Sequence, residues 1–175
     1  MAQFVAFQNG VEVNGETVLS VVNGSPIKEM AIKILEKHGI KDPKPGEWYS
    51  QQNWLDSFRE ISEKIGSGTL KTIGMAIPKN AQFPPEIDNT HAALASIDVA
   101  YHMNHRKGKI GNYEYVKTGE KSAKIVCRNP YPCSFDLGII IAIARKFSMG
   151  ARVEHDETQP CRSNGADSCA YNVTW

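Results

Sequence analysis

The chain has 175 residues, 41% hydrophobic and 22% charged, with 20 basic against 19 acidic side chains. That length and balance describe one globular domain able to bury its own core, and exclude a disordered chain. A net charge of +1 offers no basic excess for a phosphate backbone, so nucleic acid is excluded as the main partner.

Met1–Gly10 has no basic segment leading into a long apolar run, so no signal peptide is expected. Phe4–Phe7 and Val11–Val13 flank Asn9-Gly10, a hairpin signal. Gly15 and Gly24 punctuate the next stretch. Ser25-Pro26 then predicts a helix start and Gly39 its end, with Met30, Ile34 and Leu35 on one face. After the loop Asp42–Glu47, the stripe Trp54, Leu55, Phe58, Ile61 and Ile65 predicts a second helix. Leu70–Ile77 reads as a short third helix ended by Pro78, and Pro84-Pro85 as the start of a long fourth running to about Arg106.

The periodicity then changes to two. Tyr113–Lys117 and Ala123–Cys127 alternate about Gly119-Glu120 as a hairpin. Leu137–Phe147 is an apolar helix. Its apolar run to Ala144 is about half the length a bilayer requires, so no membrane span is expected. Ala151–Glu157 and Ala170–Trp175 are the last strands, and the terminal one is a candidate edge for a homodimer. The expectation is an α+β fold: a helical N-terminal lobe packed on a small antiparallel sheet, with a β-β-α-β-β C-terminal half, forming one domain over residues 1–175.

Cys127, Cys133, Cys161 and Cys169 all fall in this C-terminal half. For a cytoplasmic protein, reduced, buried or metal-bound cysteines are expected ahead of disulfides. Cys161 and Cys169 flank a polar, glycine-containing turn and can converge on one ion. Zinc asks for about four ligands, the third being Cys133 or Cys127 and the fourth Glu157 or His155. The spacing is wider than a C-x-x-C ribbon, so zinc, free structural thiols and disulfides stay open.

Trp48, Trp54, Phe58, Met75, Tyr101 and Tyr131 line an apolar ligand pocket or simply fill the core. His102 and His105 lie a turn apart near the end of the fourth helix and read as rim or surface histidines, His105 the more exposed. Arg106-Lys107-Gly108-Lys109 reads as a solvated helix end. There is no Gly-x-Ser-x-Gly, Gly-x-Gly-x-x-Gly or P-loop, and no nicotinamide or flavin motif, so no catalytic residue is assigned. Glu154, Asp156 and Glu157 beside His155 read as a solvated strand edge.

Asn129-Pro-Tyr-Pro-Cys133 precedes a helix that opens Phe135-Asp-Leu-Gly138. Cys161 is followed by Gly165-Ala-Asp-Ser-Cys169 and the strand to Trp175. This combination resembles the 4-vinyl-reductase and haem-NO-binding-like domains, which share a superfamily with a Golgi-transport tethering subunit. The first half resembles their helical lobe more loosely, through Val22-Asn-Gly-Ser25, Gly39-Ile40, Trp48-Tyr49 and Thr72-Ile-Gly74.

The resemblance implies a small-molecule sensor whose helices and sheet enclose a pocket for aromatics, lipids or tetrapyrroles such as haem, signalling to a partner in trans. It also implies a zinc held by the closing cysteines, as in the phenol-sensing relatives. Those relatives place an acidic residue three positions before the first closing cysteine. Here that position is Thr158, with Glu157 one place off. In the haem-NO sensors a helical histidine, here His102, ligates haem and a Tyr-x-Ser-x-Arg motif clamps it. This chain lacks the motif. The alternatives implied are a tetrapyrrole or lipid carrier, or a non-catalytic assembly or tethering module.

Overall fold

The structure, a computed structural model, describes residues 3–25 and 27–175. Its elements run β1 (Glu12–Asn14), α1 (Gly15–Gly24), α2 (Lys28–Lys37), β2 (Trp48–Ser50), α3 (Gln51–Lys64), α4 (Ser67–Asn80) and α5 (Thr90–Met103). They continue with β3 (His105–Arg106), β4 (Asn112–Gly119), β5 (Ser122–Arg128), α6 (Cys133–Phe147), β6 (Arg152–His155) and β7 (Cys169–Thr174). The result is the expected α+β class, with two antiparallel sheets ordered β2-β1-β3 and β4-β5-β7-β6.

Three helices, α1, α3 and α5, start where a side chain satisfies a free N–H group. Asn14, Ser50 and Asn89 accept from the amides of Thr17, Asn53 and Ala92. The Asn89 cap explains why α5 begins at Thr90 and not at Pro84-Pro85. Pro26 lies outside the described residues, and α2 opens at Lys28 and ends as expected against Gly39. Pro78 does not end α4. It sits in the last turn, where its missing N–H forfeits only one hydrogen bond.

Three expectations are corrected. Phe4–Phe7 does not pair with Val11–Val13 across Asn9-Gly10. Gln52 and Arg59 of α3 take up the Phe4 carbonyl, and β1 pairs with β2 and β3. The segment from Gly15 to Gly24 is a full helix whose buried Val18, Val21 and Val22 recur at helical spacing. The strand ending the chain is no edge: β7 lies between β5 and β6, leaving β4 and β6 at the rims.

The helical lobe meets the sheet through α4, α5 and α6. Where α4 crosses α6 the backbones touch. A Cβ on Gly74 would lie 2.2 Å from the Phe135 carbonyl oxygen, and one on Gly138 2.1 Å from that of Lys71. At the centre, Trp54, Phe58, Tyr131 and Phe135 form one aromatic cluster with ring centroids 4.7–6.2 Å apart. No helix among the described residues is long and apolar enough to cross a membrane.

Candidate functional site

Two adjoining sites sit where the lobe meets the sheet. The first is a partly open, almost wholly apolar cavity of about 40 Å³. Its wall is built by Thr17 of α1, Trp54 of α3, Ile77 of α4, Ile97 and Tyr101 of α5, Tyr113 of β4, and Tyr131, Phe135 and Ile139 at and within α6. Trp54, Tyr101 and Tyr131 of the expected pocket therefore meet here. Phe58 packs behind them on Trp54 and Tyr131. Trp48, Met75 and His102 lie elsewhere. Trp48 stacks under the Arg106 guanidinium at 4.2 Å, Met75 is 37% exposed on α4, and His102 points to Asp98 on the surface.

His105 is the residue that sequence reasoning misplaced. It is 8% exposed and forms part of the cavity wall. The chain turns inward at Asn104, whose amide bonds Asn14, Thr17 and Gln82, and β3 then docks His105 onto β1. Its Nδ1 lies 2.8 Å from the Tyr101 carbonyl, which can only accept, so Nδ1 carries the proton. Nε2 therefore accepts from the Tyr131 hydroxyl at 2.6 Å, and Gln51 Nε2 in turn donates to that hydroxyl. Burial lowers the His105 pKa to about 4, so the ring is neutral near pH 7. Two fully buried polar atoms beside this relay, Trp54 Nε1 and Gln51 Oε1, have no hydrogen-bond partner among the described residues.

The second site lies at the foot of α6. Because α6 begins at Cys133, one turn earlier than expected, Cys133 faces the turn between β6 and β7. Cys133 Sγ is 2.9 Å from Cys169 Sγ and 3.4 Å from Cys161 Sγ, and the last two are 3.4 Å apart. His155 at the end of β6 completes a group whose ligand atoms all lie within 4.8 Å of one another, and its buried Nε2 has no hydrogen-bond partner among the described residues. Glu157 is exposed and outside this group. Cys127 is buried opposite Cys169 in the sheet, also outside it.

The surroundings favour a thiolate. The Cys169 thiol is pulled down, first by the hydrogen bond from Cys133, with the Arg162 charge and its backbone N–H adding to it. The same contact, with burial, pushes the Cys133 thiol up. Arg162 was not singled out in the sequence because an arginine in a polar loop reads as solvated. In the fold it is 2% exposed, with its backbone N–H and Nε directed at Cys169 Sγ. Its guanidinium pairs with the fully buried Asp136 of α6 and with Asn129. Burial pushes the Asp136 carboxyl up, while Arg162 and the Tyr113 hydroxyl pull it back. Since Tyr113 also lines the cavity, a continuous chain of hydrogen bonds runs from the cavity wall to Cys169.

No known family profile and no curated protein sequence matches the chain. Solved structures do. An H-NOX protein from S. oneidensis in the Fe(II)NO ligation state matches with a TM-score of 0.69 at 14% identity, over 91% of this chain and 97% of that one. An Fe(II) unliganded mutant of an H-NOX protein from K. algicida matches at 0.64 and 13% identity, over 92% and 95%. An oxygen-binding H-NOX domain related to soluble guanylate cyclases matches at 0.63 and 14% identity, over 91% of each chain. With its helical lobe, four-stranded sheet and the cavity between them, the chain has the fold of the H-NOX domains, the haem-NO-binding architecture that its C-terminal motifs resemble.

Proposed function

We propose that residues 1–175 form a cytoplasmic ligand-sensing domain that takes a small hydrophobic molecule into the cavity between lobe and sheet. A zinc ion held by Cys133, His155, Cys161 and Cys169 braces that domain. One observation carries the ligand reading: a partly open apolar cavity whose wall residue Trp54 keeps a buried indole N–H with no hydrogen-bond partner among the described residues. Buried donors without acceptors are rare, because each costs about 1–3 kcal/mol, and a ligand oxygen would satisfy this one. The zinc reading rests on three sulfurs and one orphaned imidazole nitrogen. The sulfurs lie 2.9–3.4 Å apart, close to the edge of about 3.8 Å that Zn–S bonds of about 2.3 Å impose on a tetrahedron. Cys₃His is a closed, structural ligand set, and it keeps its thiols reduced in a cytoplasmic setting.

A tetrapyrrole is the second reading, favoured by the fold, since solved structures of like fold include studies of heme distortion in the H-NOX family. The residues here do not fit it in this arrangement. His105, the histidine of the wall, has both ring nitrogens engaged.

Native mass spectrometry read against the denatured mass tests both parts. One zinc per chain is expected in the wild type and in Glu157→Ala, and none in His155→Ala. An added organic mass would name the ligand class. A wild-type protein carrying no metal and no organic mass would overturn the reading and leave an assembly or tethering module with inert cysteines. Added haemin giving a Soret band that His105→Ala abolishes would establish the tetrapyrrole reading instead.

A further inference from the structure

Beside the cavity lies a second, more open cleft of about 440 Å³, lined by Phe7, His102, His105, Arg106, Lys109 and Asn112 among others. His105 lines both spaces. The segment expected as a solvated helix end forms one wall of this cleft. After β3 the chain turns through Lys107 and Gly108, both at positive φ, and brings Arg106 and Lys109 to the same rim.

The charges of the cleft are one-sided. No aspartate or glutamate is among its lining residues. Glu12, outside it, binds Arg106 Nε and Lys107, and Asp98 faces His102. Lys109 makes no ion pair among the described residues, and its backbone N–H is held by Gln8. A cationic rim with an apolar floor at Phe7 is the complement of an amphiphilic anion.

We propose that this cleft binds the carboxylate of a small apolar acid, with Lys109, which stands outside the Glu12 ion pairs, on the anion and the apolar body of the molecule over Phe7. The inference rests on the ligand reading above and adds the ligand's charge.

Isothermal titration of the full chain with 3-phenylpropionate and with 3-phenylpropanol, which share an apolar body, isolates the charge. The acid is expected to bind about five-fold more tightly at low salt, the range of partly exposed ion pairs. Lys109→Ala should erase that preference while leaving the alcohol unchanged, and about 0.5 M salt should weaken it in the wild type. Lys109 is an exposed loop residue, so the variant retains the core. Equal binding of acid and alcohol by the wild type would overturn the anion site and leave the cavity reading standing. An acid preference that survives in Lys109→Ala would overturn it as well. Failure of both molecules to bind would overturn the inference along with the ligand reading beneath it.

Discussion

At His105 a single ring links burial, tautomer and pH. Held between the Tyr101 carbonyl and the Tyr131 hydroxyl, it must stay neutral, and burial lowers its pKa from 6.5 to about 4. The folded state then binds fewer protons than the unfolded state between these two values, so stability falls as pH drops through that window. The contribution is fully present above about 6.5, lost progressively down to about 4, and flat below. A shift of this size is worth on the order of 3 kcal/mol. Urea unfolding of the wild type and of His105→Gln at pH 7, 5.5 and 4 checks this. The wild type should lose more stability across the series, and parallel losses would show that His105 is not the group responsible. The sequence placed this histidine at a surface because it follows a helix and precedes Arg106-Lys107. What overrides that local pattern is Asn104, whose bonds to Asn14 and Gln82 turn the chain inward from residues far away in sequence.

Among the elements, α4 and α6 set the geometry of both sites, and two glycines set their distance. Gly138→Ala places a methyl group against the Lys71 carbonyl, an atom of helix backbone that cannot rotate aside. Overpacking of this kind costs about 1–3 kcal/mol, or roughly 2–12 °C in a domain of this size. Gly68→Ala in the first turn of α4 meets nothing within 4 Å and should be neutral or slightly stabilising. Thermal melts of the two variants compare them, and a Gly138→Ala melt equal to the wild type would mean the helices separate freely. Elements with strong local periodicity were legible in advance: the Trp54–Ile61 stripe of α3 and the alternating β4 and β5. The α1 helix was hidden by its bounding glycines and valines, although Val18, Val21 and Val22 carry its period. Sheet order was not legible either, because β7 pairs with β5 across forty residues and nothing local distinguishes an inner strand from an edge. The cysteine group was legible as residue types. The choice between His155 and Glu157 was not, since it depends on where β6 ends and which side chain then faces inward.

For the molecule as a whole, the cysteine group joins what the chain keeps apart. Cys133 starts α6, His155 ends β6, Cys161 lies midway in the loop that follows and Cys169 starts β7, while Gln3 near the N-terminus donates to Cys133 Sγ. Arg162 and Asp136 carry the same junction through the core to Tyr113 at the cavity. A metal bound there stabilises the folded chain by mass action, because the unfolded chain has no assembled site. At free zinc about a thousand-fold above its Kd the gain is about 4 kcal/mol, and at about 2–4 °C per kcal/mol the melting midpoint should rise by roughly 8–16 °C. Scanning calorimetry of the chain before and after chelation, and again after zinc is restored, measures this. The midpoint should fall and then recover in the wild type. In His155→Ala the cycle should move it much less, since one of four ligands is gone. The same cycle followed by ligand titration separates bracing from gating. If the cavity relies on the junction, the chelated protein should bind 3-phenylpropanol more weakly, and unchanged binding would show that the metal holds the sheet to α6 without shaping the cavity. A midpoint indifferent to chelation would leave the three thiols as a packed, metal-free cluster.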